Sequence, residues 1–140
     1  MKKVVIVGAG AGGGLVATKL RNKIDRENVE ITVIDSYGRT EFQPSFPMVS
    51  MGLKKPAEIG VNFENLSKVG IKPMKAKVLS VNGDERVVKT DKGDVTYDDL
   101  VLSPGAKIEN DKIPQSPNIG HFWDMEHALD LRKKLMSLKE

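Results

Sequence analysis

Lys3-Val4-Val5-Ile6-Val7-Gly8-Ala9-Gly10-Ala11-Gly12-Gly13 is the stretch that decides how this chain is read. The β-branched run Val4 to Val7 predicts a short strand of a parallel sheet, buried on both faces. Glycines follow at once in the spacing GxGxxG, and Leu15, Val16, Ala17, Leu20 and Ile24 then recur at helical spacing. Each glycine of the pattern has its own physical task. Gly8 permits the tight turn out of the strand. Gly10 lets the backbone approach a pyrophosphate with no Cβ in the way, and Gly13 lets the helix pack closely on the strand. Ala17, one turn further on, keeps that packing close. The free N–H groups at the helix start, around Ala11 and Gly12, and the partial positive charge there favour a diphosphate. Val29 to Ile34 then reads as a second strand, closing with Asp35, 22 residues after Gly13. There a carboxylate can accept hydrogen bonds from ribose hydroxyls. Strand, glycine turn, helix, strand and acid fit a dinucleotide-binding βαβ unit. A flexible glycine linker would not alternate with two buried strands. Asp35 taken alone would be an ordinary turn or cap aspartate; its position favours ribose binding.

Working outward, the polar stretch Asp25 to Asn28 ends the first helix. Residues 36–60 hold Pro44, Pro47, Pro56, Gly38, Gly52 and Gly60, too many breakers for a long element. Residues 62–69 predict one or two helical turns. Residues 74–97 alternate, with turn signals at Asn82-Gly83-Asp84 and Asp91-Lys92-Gly93-Asp94, and predict an antiparallel meander of three short strands. Leu100 to Leu102 predict another buried strand, ended by Ser103-Pro104-Gly105, and residues 106–121 a loop. Asp124 is a candidate N-cap for a last helix, with Ala128, Leu131, Leu135 and Leu138 on one face. The expected architecture is α/β: a Rossmann-like three-layer dinucleotide-binding fold with a parallel sheet and an antiparallel β-meander, in one domain over residues 1–140.

Composition bounds the function. A chain of 140 residues buries roughly two thirds of its unfolded surface, enough for a core. The net charge is only +3, with no basic stripe interleaved with aromatics, which argues against nucleic acid. There is no cysteine, so disulfides, thiolate metal sites and cysteine redox chemistry are excluded within these residues. Lys2 and Lys3 before the apolar run Val4 to Ala17 imitate a signal peptide, but five glycines in that run fit the βαβ reading better. The run is also shorter than the roughly 20 residues a membrane span needs. The expected location is cytoplasmic.

An acid at position 35 serves FAD and NAD alike. A nicotinamide domain would continue with alternating strands and helices. This chain runs instead through a breaker-rich loop and a meander into Tyr97-Asp98-Asp99-Leu100-Val101-Leu102-Ser103-Pro104-Gly105-Ala106. That order resembles the flavoproteins with two dinucleotide-binding domains, in which a meander leads into a strand ending in an Ala-Thr-Gly turn near the flavin. Ser103-Pro104-Gly105 stands in place of that triplet, keeping its glycine and moving its hydroxyl residue. Phe42-Gln43-Pro44-Ser45-Phe46-Pro47-Met48-Val49-Ser50-Met51-Gly52 resembles the proline-rich loop of sulfide:quinone oxidoreductases and flavocytochrome c sulfide dehydrogenases, which lies against the isoalloxazine. Type II NADH dehydrogenases have a related, less similar loop. Glu126-His127-Ala128 resembles the stretch that follows the meander in the sulfide:quinone enzymes.

The resemblance implies FAD as cofactor. It adds Ser36, Pro44, Ser45, Lys77, Val78, Ser103, Pro104 and Gly105 to the candidate contacts Gly8, Gly10, Ala11, Gly12, Gly13 and Asp35. It implies an oxidoreductase that passes two electrons from a small reductant, sulfide or NADH, through FAD to a quinone. Two departures stand out. The sulfide:quinone enzymes carry a redox cysteine just before the Glu-His-Ala stretch, where this chain has Trp123. The family's chains are also far longer, with a nicotinamide-domain-like half, a second FAD segment and a membrane-docking region. The chain is therefore expected to be the N-terminal FAD-binding part of a longer flavoprotein, inactive alone. Membrane association is expected only through regions outside it. Three readings stay open: a sulfide:quinone enzyme, an NADH:quinone enzyme that needs no such cysteine, and a nucleotide-binding module that recognises a partner without catalysis.

The remaining candidates read as structural. His121 and His127 lack metal-ligand spacing and read as surface or packing histidines. Met48 and Met51 read as gap-filling core residues, and Trp123 as core or interface packing.

Overall fold

A computed structural model describes all residues except 107, 108, 110, 111, 113, 115, 139 and 140. The chain divides into two compact units, Met1–Thr40 with Asn62–Gly105, and Glu41–Val61 with Ala106–Glu140.

The first unit is built on a parallel sheet. Its strands are β1 (Lys2–Val7), β2 (Val29–Asp35), β5 (Lys72–Lys75) and β9 (Asp99–Leu102), in the order β5-β2-β1-β9. β1 pairs in parallel with β2 from Lys2↔Val29 to Val7↔Ile34, and with β9 from Val4↔Asp99 to Val7↔Leu102. Alternation along β1 sends its side chains to opposite faces. Val4 and Ile6 join Ile31, Val33, Ala17, Phe63 and Ile71 in one core cluster. That cluster lies under helix α1 (Ala11–Lys23) and the 3-10 segment Phe63–Val69. Val5 and Val7 join Ile34, Ala76 and Val88 in the cluster on the other face. That second face is covered by the meander β6 (Val78–Asn82), β7 (Val87–Thr90) and β8 (Gly93–Thr96), antiparallel throughout. Helix, sheet and meander are the three layers expected.

The turns of the meander follow the sequence signals. Asn82 Oδ1 accepts from the N–H groups of Asp84 and Glu85, both at 3.1 Å, and the chain turns through Arg86 at φ 54°. Gly93, at φ 115°, closes the second turn, where the Thr90 hydroxyl donates to its carbonyl at 2.7 Å. The alternating region begins later than the sequence predicts. Residues 72–75 are not meander but the parallel edge strand β5, in register with Thr32 to Asp35. Its proline, Pro73, is tolerated because an edge strand need not donate on both sides.

The breaker-rich stretch holds only short pieces. β3 (Arg39–Glu41) and β4 (Gly60–Asn62) pair with each other, and the 3-10 turns Gln43–Ser45 and Pro56–Ile59 flank helix α2 (Phe46–Ser50). In the second unit Phe46, Val49 and Ile59 form a small core with Ala128 of helix α3 (Met125–Ser137). Asp124 caps α3 as expected, its carboxylate accepting from the His127 N–H at 2.9 Å.

Several expected core positions are exposed. Of the predicted stripe on the last helix only Ala128 is fully buried; Leu135 is exposed and Leu138 lies at the helix end, while Met125 and Leu129 pack inward. The core here is small, and the turn that bears Ala128 decides which residues reach it. Leu15 and Val16 of α1 face outward, as do Met48, Met51 and Trp123, which is 63% exposed. No helix among the described residues is long and apolar enough to cross a membrane.

Candidate functional site

Because β5, β2, β1 and β9 run parallel, their carboxyl ends lie along one edge of the sheet. Open α/β sheets bind ligands at that edge. The candidates of the first unit gather there. Gly8 to Gly13 follow β1, Asp35 and Ser36 close and follow β2, Lys77 and Val78 come just after β5, and Ser103 to Gly105 follow β9.

The glycine turn is held by backbone packing. The Gly8 N–H donates to the Ile34 carbonyl at 2.8 Å, and the Ser103 N–H to the Val7 carbonyl at 2.8 Å. Gly8 sits at φ 95°, and a Cβ there would run into the Ser103 carbonyl. A Cβ at Gly13 would run into the Gly8 carbonyl and lie 3.2 Å from Ile6 Cγ2. Only glycine lets α1 start this close to the strand. Gly10 differs: a Cβ there would meet nothing within 4 Å. Gly10 is the N-cap of α1, with no side-chain cap, and no acidic residue stands in the first turn. The first N–H groups of the helix therefore await an acceptor. Gly10, Ala11 and Gly12 are all exposed.

Asp35 is fixed by two backbone groups. Its Oδ2 accepts from the Ala9 N–H and its Oδ1 from the Tyr37 N–H, each at 2.8 Å. It therefore does the work of a turn aspartate, bracing the glycine turn against the end of β2. Each carboxylate oxygen has a second acceptor site, and the residue is only half-buried. The Thr40 hydroxyl donates to the Ala9 carbonyl at 2.7 Å and ties down the same loop. Lys77 has both main-chain groups tied to Asp91: its N–H donates to Asp91 Oδ1 at 2.8 Å and its carbonyl accepts from the Asp91 N–H at 3.0 Å. Val78 is half-buried in the cluster under the meander. Ser36, Pro104 and Gly105 are exposed.

Pro44 and Ser45 belong to the second unit, in the 3-10 turn Gln43–Ser45, where Ser45 is buried. That unit also joins residues which sequence reasoning left separate. The rings of His121 and His127 stack with centroids 4.0 Å apart, and His127 Nδ1 lies 2.7 Å from Asp124 Oδ1. Burial acts to raise the Asp124 carboxyl, but hydrogen bonds from the His127 backbone and ring outweigh it and hold its pKa below the usual carboxylate range. The signal for this pair was present as a capping aspartate three residues before a histidine. Sequence reading also missed Lys75, because β5 was missed: it stands beside Asp35 in register, its side chain over Gly38, which has φ 77°. No cluster of three or more metal-ligating side chains occurs among the described residues.

Comparison with known proteins agrees with this geometry. The family model described as pyridine nucleotide-disulphide oxidoreductase matches residues 2–139. The chain is 34% identical over 139 residues to the sulfide-quinone reductase of Aquifex aeolicus, covering 98% of this chain and 32% of that protein. It is 30% identical over 138 residues to the type II NADH:quinone oxidoreductase of Staphylococcus saprophyticus, covering 94% of this chain and 33% of that protein. The X-ray structure of the Aquifex aeolicus sulfide:quinone oxidoreductase matches with a TM-score of 0.87 at 34% identity, over 97% of this chain and 32% of that one. The chain thus spans about a third of the length of these curated relatives. A turn that only glycine can make, at the carboxyl edge of a parallel sheet, and a family match over nearly every residue lead to one conclusion: the chain belongs to the pyridine nucleotide-disulphide oxidoreductase family.

Proposed function

We propose that this chain is the FAD-binding portion of a flavin-dependent oxidoreductase that passes electrons from sulfide to a quinone. The observation that carries the binding half of this reading is the start of α1. Its N–H groups are uncapped, no acid stands in its first turn, and Gly10 opens onto free space. A diphosphate fits that place on charge and on space. Asp35, held at the end of β2 with lone pairs to spare, fits the adenosine ribose. Ser36, Lys77, Val78 and the Ser103–Gly105 turn line the same sheet edge. When bound, the flavin supplies the two-electron chemistry; the protein binds and orients it. These residues bind and position the cofactor, and none of them is assigned a catalytic role.

Sulfide as donor is supported by the 34% identity to a sulfide-quinone reductase and by the loop at residues 42–52. NADH is the second reading, favoured by the absence of cysteine and by the 30% identity to a type II NADH:quinone oxidoreductase. Anaerobic mixing of the complete flavin-loaded gene product with each reductant separates the two. Bleaching of the flavin absorbance by sulfide, and reoxidation by a soluble quinone, is the expected result. Bleaching by NADH alone would replace sulfide with NADH as donor. A bound flavin that neither reductant bleaches would overturn the catalytic reading in favour of a binding module.

A further inference from the structure

Within the second unit, a cleft of about 420 Å³ is lined by Ser50, Met51 and Gly52 at the end of α2 and by Arg132, Leu135 and Met136 of α3. Arg132 is its one charge, and the protein gives that charge no counter-ion. A Cβ at Gly52 would lie 3.5 Å from Arg132 Cζ, Nε and Nη2 alike, so the flat guanidinium lies across the open side of that glycine. Among the described residues it makes no hydrogen bond and no ion pair. Along α3 its neighbours at three and four residues, where a helical partner would stand, are Ala128, Leu129, Leu135 and Met136. The facing helix α2, Phe-Pro-Met-Val-Ser, carries no acid. The nearest acid along α3, Asp130, is taken by Lys134 at 3.2 Å. Nor does Arg132 cap α2. The carbonyls of Pro47, Met48 and Val49 already accept from the N–H groups of Met51 to Lys54, and the Ser50 hydroxyl donates to Pro47. The rest of the cleft is apolar and open: Met51, Leu135 and Met136 are all exposed. A guanidinium presents a donor fork that matches a carboxylate, and flexible thioether side chains mould to a flexible apolar ligand.

We infer that this cleft is a binding site for a monocarboxylate carried on an apolar chain, an anion of the fatty-acid type. The carboxylate takes the free guanidinium of Arg132, and the chain lies on Met51, Leu135 and Met136. One positive charge without a counter-ion selects one negative charge, and exposed apolar walls select a ligand with a tail. The volume falls in the range of small-molecule sites. Nothing in the inference depends on the dinucleotide reading of the glycine turn.

Calorimetric titration of the complete gene product with laurate, and with acetate as the same carboxylate without a tail, tests it. Laurate is expected to bind and acetate to give no measurable heat. Arg132→Met keeps the apolar stem and removes the charge; it is expected to melt like the parent and to bind laurate at least about tenfold more weakly, as loss of a hydrogen bond to a charged group implies. Met136→Glu sets a carboxylate one helical turn from Arg132, on an exposed position, and is expected to abolish laurate binding by pairing with the guanidinium. Equal laurate affinity in the parent and Arg132→Met would reduce the cleft to an apolar patch and overturn the inference. A parent that binds no laurate would overturn it too, whether the cleft is then covered by another part of the gene product or by a second copy. So would a parent that ignores free laurate yet sediments with phosphatidylglycerol vesicles, which would make this face a membrane contact.

Discussion

A methyl group added at two neighbouring glycines meets two different things. At Gly13 it runs into the Gly8 carbonyl, so Gly13→Ala is expected to lower the melting temperature. At Gly10 it meets nothing within 4 Å, and a φ of −66° suits any residue. Gly10→Val is therefore expected to melt like the parent and yet to lose FAD, because its side chain would fill the proposed diphosphate space. A folded Gly10→Val variant of unchanged FAD affinity would place the cofactor elsewhere. Asp35 carries both a structural and a proposed binding role. Hydrogen bonds to a charged group are worth roughly 1.5–3 kcal/mol, so Asp35→Ala should weaken FAD binding by about ten- to a hundredfold. It should also lower stability, since the Ala9 and Tyr37 N–H groups lose their acceptor. Flavin fluorescence titration reads the first and thermal melting the second. A stability loss with affinity changed by less than about threefold would leave Asp35 a turn aspartate alone. The GxGxxG spacing was legible because each of its glycines answers a local demand. The Asp35 bond to the Ala9 N–H was not, since it depends on how strand ends meet along the sheet edge, whereas its bond to the Tyr37 N–H is the local turn-aspartate contact that the sequence already allowed.

At the scale of elements, buried alternation was legible and marginal strands were not. β1 and β2 read clearly because Val4 to Val7 and Val29 to Ile34 are nearly all apolar and buried on both faces. β5, Lys-Pro-Met-Lys, has no such signature; only the edge of β2 makes it a strand. The last helix was placed by its cap, but its inward face was misjudged, since the second unit's core reaches only Met125, Ala128 and Leu129. Ile6, fully buried under α1, should show what the first core contributes. Ile6→Ala is expected to cost about 2–5 kcal/mol in urea unfolding, whereas Leu15→Ser on the exposed face of α1 should stay within about 0.5 kcal/mol. Equal costs would mean that the outward face of α1 is assigned wrongly. Asp124→Ala should cost about 0.5–2 kcal/mol by removing the cap of α3. The Asp124 pKa is lowered in the folded chain, so its contribution is complete above the unfolded value near 3.8 and is lost as pH falls through the lower folded value. A parent and Asp124→Ala pair whose stability difference does not shrink in that acid range would contradict the pairing with His127.

For the whole molecule, the first unit is a Rossmann-like layer sandwich whose candidate residues come from four strand ends: those of β1 and β9 were visible in sequence as turn signals and that of β2 as a closing acid, whereas that of β5 was not visible. The chain covers about a third of the length of its curated relatives, so cofactor, donor and acceptor are all proposals, of which the cofactor is the one supported by this chain's own geometry. At this scale the decisive proposal is FAD at the carboxyl edge of the sheet. Its most direct test is to purify the complete gene product, denature it, and identify the released nucleotide by mass spectrometry and its absorbance spectrum. FAD is expected at close to one per chain, and none from the Gly10→Val variant. Release of a nicotinamide nucleotide instead, or a protein that carries no nucleotide and takes up none when FAD is supplied, would contradict it.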